Sequence, residues 1–411
     1  MKIAVVGSGI SGLSAAYYLS KKHQVDLFEK EDHFGGHSHT IDVLINNKKI
    51  SVDIGFIVFN HETYPNLINF FEENKIAIEK SDMSFSVHIK DTNFEYCGRG
   101  LKGIFSNKSN LFNFNFLKMI FEIIIFYKNC DKITEFNEKI TLGEFLIKEN
   151  LSKTFIDYHL IPMVSAIWSI PSYEANKMPL KFFIKFFQNH GLFKLSKRPQ
   201  WYTVSGRSRT YVNKVLSKIS GEYFKNYKIN LIKRISSGVQ IYYGGNSEFF
   251  NYDKVVIATH ADEALSLIDK PLEDEKNILS NFSYKENLAI LHTDEKVMPK
   301  IKYNWSSWNS YINSKNFEAS SLTYWLNLLQ NLKINRNIFL TLNPFFEIDQ
   351  NKIFKVVEFT HPYYDQVALN SQPDLKQIQN KNNILYCGSY FGYGFHEDGL
   401  KSTINLIENF K

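Results

Sequence analysis

Three glycines near the start constrain this chain more than anything after them. Gly7, Gly9 and Gly12 follow a short apolar run, Ile3 to Val6, and lead into an alanine-rich stretch. An uninterrupted apolar run of that length reads as a parallel strand buried on both faces. The three glycines then read as the turn from strand to helix in a dinucleotide-binding unit. The first permits the tight turn, the second lets a pyrophosphate approach the backbone, and the third lets helix and strand pack closely. A second strand, Gln24 to Phe28, ends in Glu29, whose carboxylate can accept hydrogen bonds from ribose hydroxyls. Lys2 before an apolar run has the look of a signal peptide, but the early glycines make it a Rossmann strand.

The chain has 411 residues, enough for two domains with sizeable cores. Hydrophobic residues make up 44% and charged residues 22%, the balance of a globular protein. The net charge of +6 is spread along the chain, so no nucleic-acid partner is expected, while an anionic membrane surface or acidic substrate is compatible with it. Cys97, Cys130 and Cys387 are isolated thiols without CxxC spacing, which suggests neither a metal site nor a disulfide framework and fits a cytoplasmic protein. No apolar stretch reaches the roughly 18 residues of a spanning helix.

Past the first unit, residues 61–75 have helical spacing through Leu67, Ile68, Phe70 and Phe71, and 83–97 alternate as strands. Residues 101–148 turn helical, most apolar in Phe116 to Tyr127, where Lys118 and Glu122 share one narrow polar face. This is expected to be either a buried helix or a contact with a membrane or lipid. Leu180 to Gln188 is a basic amphipathic helix, with Lys181 and Lys185 opposite the phenylalanines, and is read as core-facing or as a lid over an apolar pocket. Strands are expected at 229–234, 238–243 and 254–258, then at 288–292, 306–312, 339–342 and 356–359, with a helix-like piece at 322–329. There is no internal repeat or linker, so the domains are expected to interleave.

Five further motifs narrow the dinucleotide. After Glu29 the chain reads Lys30-Glu31-Asp32-His33-Phe34-Gly35-Gly36-His37-Ser38-His39-Thr40, and Asp53-Ile54-Gly55-Phe56 follows a hairpin-like pair of strands. The run Tyr252 to His260 is a strand with an Ala258-Thr259 turn. Asn383 to Ser389 is another, turning at Gly388-Ser389, and Gly394-Phe395-His396-Glu397-Asp398-Gly399-Leu400-Lys401-Ser402-Thr403 opens a last helix.

In these motifs the chain resembles the flavin-containing amine oxidase superfamily, which includes monoamine oxidases, protoporphyrinogen oxidase and phytoene-type desaturases. The segments Ala166-Ile167-Trp168-Ser169 and Trp308-Asn309, with the run Gly394 to Gly399, most resemble a bacterial subgroup of FAD-binding proteins associated with dehydrogenation of methyl-branched fatty acyl chains. His37 stands where the family usually has Arg, and Ser389 where it usually has an acidic residue.

The resemblance implies an α/β fold in which a Rossmann-type FAD-binding domain (1–75, 200–285 and 355–411) is interleaved with an α+β substrate domain (76–199 and 286–354) containing a mixed or antiparallel sheet. It implies FAD held by Gly7, Gly9, Ser11, Gly12, Glu29, Lys30, Gly35, Gly36, His37, His39, Thr40, Gly55, Phe56, Ala258, Thr259, Gly388, Ser389, Gly399, Leu400 and Ser402. The last helix would point its free N–H groups at the flavin. His396 and Glu397, just ahead of that helix, are the expected catalytic acid–base groups, and Asn60, Tyr64, Trp168, Trp308 and Tyr324 the expected substrate pocket. The expected activity is FAD-dependent desaturation of an apolar substrate, foremost a fatty acyl chain of a phospholipid, with a peripheral membrane surface as a further partner. The alternatives are amine oxidation, a flavin-dependent mutase using Arg207 and Arg209 for a diphosphate, and a non-enzymatic FAD-binding protein.

Overall fold

The computed structural model describes the whole chain except residues 134–139, 169, 247, 316–319 and 411. Ser169, part of the Ala-Ile-Trp-Ser motif, therefore lies outside the described residues. One layer is a five-stranded parallel sheet in the order Tyr223–Phe224, Gln24–Phe28, Lys2–Val6, Lys254–Ile257, Ile384–Tyr386. Ile3, Ala4 and Val5 have no exposed surface, as a strand covered on both faces requires. The helices Ile10–Leu19 and His396–Glu408 pack against each other on one face of this sheet. An antiparallel sheet of Leu231–Ile235, Gly238–Tyr243 and Glu248–Tyr252 stands beside it.

The second half is a seven-stranded mixed sheet in the order Ile353–Tyr363, Ser283–His292, Phe339–Leu342, Ser320–Trp325, Trp308–Ile312, Phe85–Ile89, Glu95–Cys97. All its pairings are antiparallel except that of Trp308–Ile312 with Phe85–Ile89. A helical layer covers it, with Phe116, Phe155, Phe183 and Phe187 fully buried in one core. The fold is thus a Rossmann-like domain interleaved with a sheet-containing substrate domain.

Two boundaries differ from the sequence reading. Residues 353–363 pair along the whole length of Ser283–His292, so the chain rejoins the nucleotide half after Tyr363 rather than near 355. The first half of the 322–329 piece is strand, part of Ser320–Trp325, and only its second half, Leu326–Leu329, is a helical turn. Strand partners on both sides decide this against local helical spacing. Leu180–Asn189 is core-facing: Phe182, Phe183, Phe186 and Phe187 are buried, and Lys181 and Lys185 are exposed. Among the described residues no helix is long and apolar enough to cross a membrane.

Candidate active site

A cavity of about 1120 Å³ runs between the two halves. That exceeds the roughly 300–1,000 Å³ of ordinary small-molecule pockets and leaves room for a large cofactor beside a substrate. At one end stands the glycine turn. Gly7 has φ of +98°, and a Cβ on it would meet the Ala258 carbonyl oxygen at 2.8 Å. A Cβ on Gly12 would meet the Gly7 carbonyl oxygen at 1.8 Å, so helix and strand touch through their backbones. A Cβ on Gly9 would meet nothing within 4 Å, and this is the side on which an anion can approach the helix N-terminus.

Glu29 is buried at the end of its strand and accepts from Ser8 N at 3.0 Å, Ser8 Oγ at 2.5 Å and Glu31 N at 3.0 Å. Ser8 Oγ in turn accepts from Gly35 N at 3.0 Å, which ties the Gly-Gly turn to the phosphate loop. Lys30, also at this end, is paired with Glu263 at 2.6 Å.

Of the expected cofactor contacts, Gly7, Gly9, Ser11, Glu29, Lys30, Gly36, His37, His39, Gly55, Phe56, Ala258, Thr259, Gly388 and Ser389 line the cavity. Gly12, Gly35, Thr40, Gly399, Leu400 and Ser402 stand behind that lining. Thr40 Oγ1 donates to Asp53, and Ser402 Oγ accepts from Gly388 N. Their work is to hold the lining in place. A buried carboxylate at the strand end, an open glycine at a helix N-terminus and a cavity of this size are what FAD requires.

His396 begins the last helix, lines the cavity and stacks on Phe56 with ring centroids 3.7 Å apart. Its Nε2 is 2.9 Å from Ser38 Oγ, which is itself in hydrogen-bond contact with Tyr211 Oη. Tyr211 is fully buried, and its hydroxyl proton needs an acceptor. Every proton finds one if Tyr211 donates to Ser38 and Ser38 donates to His396 Nε2, which leaves the imidazole proton on Nδ1. His396 is then a hydrogen-bond donor, and burial lowers its pKa to about 3. Glu397 is turned elsewhere. Its carboxylate accepts from Asn66 N, Asn66 Nδ2 and Leu67 N at 2.6–3.0 Å, capping the helix Pro65–Glu73, and it does not line the cavity. Asn60 is also used structurally, its Oδ1 accepting from Glu62 N and Thr63 N.

Tyr64, Trp168, Trp308 and Tyr324 do line the far end of the cavity. Trp168 packs on Phe186 at 4.6 Å, and Trp308 stands edge-on to Tyr324 at 4.9 Å. His190 was not foreseen. Its ring stacks on Phe186 at 3.8 Å, and its Nδ1 lies 2.9 Å from the Phe186 carbonyl oxygen. A carbonyl can only accept, so Nδ1 carries the proton and Nε2 keeps its lone pair. Burial lowers this pKa to about 4 and keeps the ring neutral. His260 and His361 were missed as well. The first follows the Ala258-Thr259 turn, so its position carried a signal; His361 lies on a strand whose pairing sequence does not reveal.

Residues 5–73 match a family model described as an NAD(P)-binding Rossmann-like domain. Over 43 residues, 10% of this chain, the sequence is 51% identical to 1-hydroxycarotenoid 3,4-desaturase of Flavobacterium sp. (strain P99-3), a stretch covering 9% of that protein. Solved structures align over nearly the full length. A CLA-producing fatty acid isomerase from P. acnes has a TM-score of 0.68 at 14% identity, covering 99% of this chain and 98% of that one. Cyclohexylamine oxidase from Brevibacterium oxydans IH-35A has a TM-score of 0.68 at 13% identity, with the same coverage. Putrescine oxidase has a TM-score of 0.69 at 14% identity, covering 100% of this chain and 99% of that one. A Rossmann-like dinucleotide domain, a cavity suited to FAD and this shared architecture together give the chain the fold of the amine oxidase-like flavoproteins, a superfamily of FAD-dependent oxidoreductases and desaturases.

Proposed function

We propose that the chain is an FAD-dependent dehydrogenase that introduces a carbon–carbon double bond into a fatty acyl chain, foremost one carried by a phospholipid. The observation that carries this reading is the make-up of the far end of the cavity. Trp168, Phe186, Trp308, Tyr324 and Ile167 line it. The carboxylates of the cavity belong to the phosphate-loop end (Glu29, Glu31, Asp32 and Glu263) and to the exposed Glu358. Among the described residues none stands among the aromatic rings to hold a substrate ammonium, so an uncharged chain suits this end better than an amine. The fatty acid isomerase of similar fold supports an acyl chain on this scaffold.

Bound FAD would supply the two-electron acceptor. The chain's own residues exclude water from the aromatic end and supply two neutral imidazoles of opposite hydrogen-bonding sense. His190, through Nε2, takes the proton lost from the carbon next to the one oxidised, a proton acidic enough by then for a weak base. His396 donates through Nδ1. The mutase alternative loses its cations. Arg209 pairs with Asp42 at 2.8 Å, Arg207 donates to the Ser51 and Gln330 carbonyls, and neither lines the cavity.

The phospholipid part of the reading is supported by the helix Phe114–Ile133. Its inner residues Phe116, Met119, Ile123 and Phe126 pack in the same core as Trp168 and Phe186 of the cavity wall. On its outer side Phe114 is 77% exposed and Phe121 64%, with Leu117 and Ile125 on the same face, and the neighbouring Phe112 is 91% exposed. Lys118 and Lys128 share that face, and Lys102 and Lys108 are exposed just before the helix. Apolar side chains flanked by lysines suit the headgroup region of an anionic bilayer.

The test is anaerobic mixing of the flavin-loaded protein with vesicles of saturated or methyl-branched phospholipids, and separately with amines, while flavin absorbance is followed. Bleaching by lipid with a matching double bond in the product is expected. Bleaching by amines alone would replace this reading with amine oxidation.

A further inference from the structure

Seven of the chain's twelve histidines line the cavity. Three of them meet from separate parts of the chain: His37 after the Gly-Gly turn, His260 after the strand Lys254–Ile257, and His361 from the strand Ile353–Tyr363. The His37 ring lies 5.1 Å from His361 and 6.4 Å from His260, with Phe359 stacked against it at 5.2 Å. Among the described residues no group of histidines, cysteines or carboxylates is placed to hold a metal ion, so the cluster answers to some other ligand.

Several observations say which. His37 Nε2 is buried with no hydrogen-bond partner, a cost the fold carries unless a ligand supplies one. Gly36, the residue before it, touches the phosphate loop, since a Cβ there would come within 3.1 Å of Gly9 Cα. His37 therefore leaves the backbone beside the place where a dinucleotide's diphosphate meets the helix N-terminus. His361 Nδ1 accepts from Asn287 Nδ2 at 2.9 Å, which puts the proton of the neutral ring on Nε2. No arginine lines the cavity, Lys30 is tied to Glu263, and Lys228 and Lys355 are exposed at its edge. Among the described residues a diphosphate in this cavity thus meets no free permanent cation inside, only imidazoles.

We propose that His37, His260 and His361 form a proton-linked anion site, in which arrival of the dinucleotide diphosphate draws about one proton onto the cluster. This rests on the FAD reading above. Burial and mutual repulsion by themselves hold His37 and His361 far below their ordinary pKa, and burial lowers His260. An anion at hydrogen-bond distance reverses the balance, because it favours the charged ring. The other charged or titratable groups facing the cluster are Asp262 and Glu263, which favour protonation of His260, Lys30, which opposes it, Tyr284, whose ring stacks on His260 at 4.1 Å and which burial keeps neutral, and His39 and His396 beside His37. Affinity would then fall as pH rises, by about tenfold per unit where one full proton is taken up.

The experiment is calorimetric titration of the full-length apoprotein with FAD at several pH values, in PIPES and in Tris, whose different ionisation heats report proton uptake. Flavin absorbance follows binding independently, and riboflavin, which lacks the diphosphate, serves as the control. Uptake of about one proton with FAD and none with riboflavin is expected, and H37R should bind FAD with the uptake abolished. H361Q, which places no new charge in the cavity, should bind with reduced uptake if H37R fails to fold. Full binding without proton uptake, or uptake unchanged in both variants, overturns the proposal while leaving the FAD reading intact. Failure of FAD to bind at any pH overturns the FAD reading, and this inference with it.

Discussion

Gly399 in the last helix lies directly over Ser11 in the first: a Cβ on Gly399 would come within 2.7 Å of Ser11 Oγ and 2.9 Å of Ile10 Cγ2. Thr403, one turn on, donates to the Ser11 carbonyl oxygen at 3.0 Å. The two ends of the chain are thus clamped across the phosphate loop. G399V should force these helices apart, costing about 1–3 kcal/mol as an overpacked core does. It should also speed FAD release, read as a lower melting temperature together with faster recovery of free-flavin fluorescence on dilution. Retention of FAD at wild-type rates would contradict the clamp.

Glu397 caps the helix Pro65–Glu73 through three hydrogen bonds. E397A strands the Asn66 and Leu67 N–H groups and should cost about 1–3 kcal/mol in denaturant unfolding. Turnover per folded molecule should stay within a few-fold of wild type. A loss of turnover with stability unchanged would return Glu397 to catalysis.

His190 accepts a proton only while neutral, and its pKa is lowered to about 4. Turnover should therefore hold from neutral pH downward and fall as pH drops through about 4. H190Q should lose about 10²–10⁴-fold in turnover and lose that acid limb, while FAD binding is unchanged. Single-turnover flavin reduction across pH checks both.

Buried histidines set the acid stability. His159, held between Tyr96 and Tyr127, and His396 are lowered to about 3, and His292 and His361 to about 4. Between pH 6.5 and these values the unfolded chain binds more protons than the folded one. Stability is therefore present in full above 6.5 and is lost as pH falls through the window. Asp398 has the opposite sign: burial raises it to about 6, so it loses stability as pH rises from 3.8 to 6, but the lowered histidines, His88 and His190 among them, outnumber it. Denaturant melts from pH 7 to 4 should show the decline, with a shallower slope in H159Q. A flat profile would contradict it.

The double substitution F112D/F121D should abolish sedimentation with anionic vesicles while leaving the melting temperature within about 2 °C, because both side chains are exposed. Wild-type protein that ignores vesicles at low salt would remove the membrane from the proposed function.

Local chemistry determined the nucleotide half from sequence. A strand-to-helix turn marked by three glycines, a two-face-buried strand and a carboxylate at the next strand's end are short-range signals, and the structure places Gly7, Gly9 and Glu29 together around one end of the cavity. The aromatic residues Tyr64, Trp168, Trp308 and Tyr324 were visible as candidates, and packing brings them to its other end. What only the tertiary structure decided is how side chains far apart in sequence are used. Glu397 looked catalytic because it stands beside His396, yet one step along a helix turns a side chain by about 100°, and this one meets another helix's N-terminus. His361 and His37 are 324 positions apart and meet only because the strand Ile353–Tyr363 pairs with Ser283–His292 rather than rejoining the nucleotide half. Strand pairing is long-range and leaves little mark on the local sequence, so the imidazole cluster beside the phosphate loop became visible only in the folded chain.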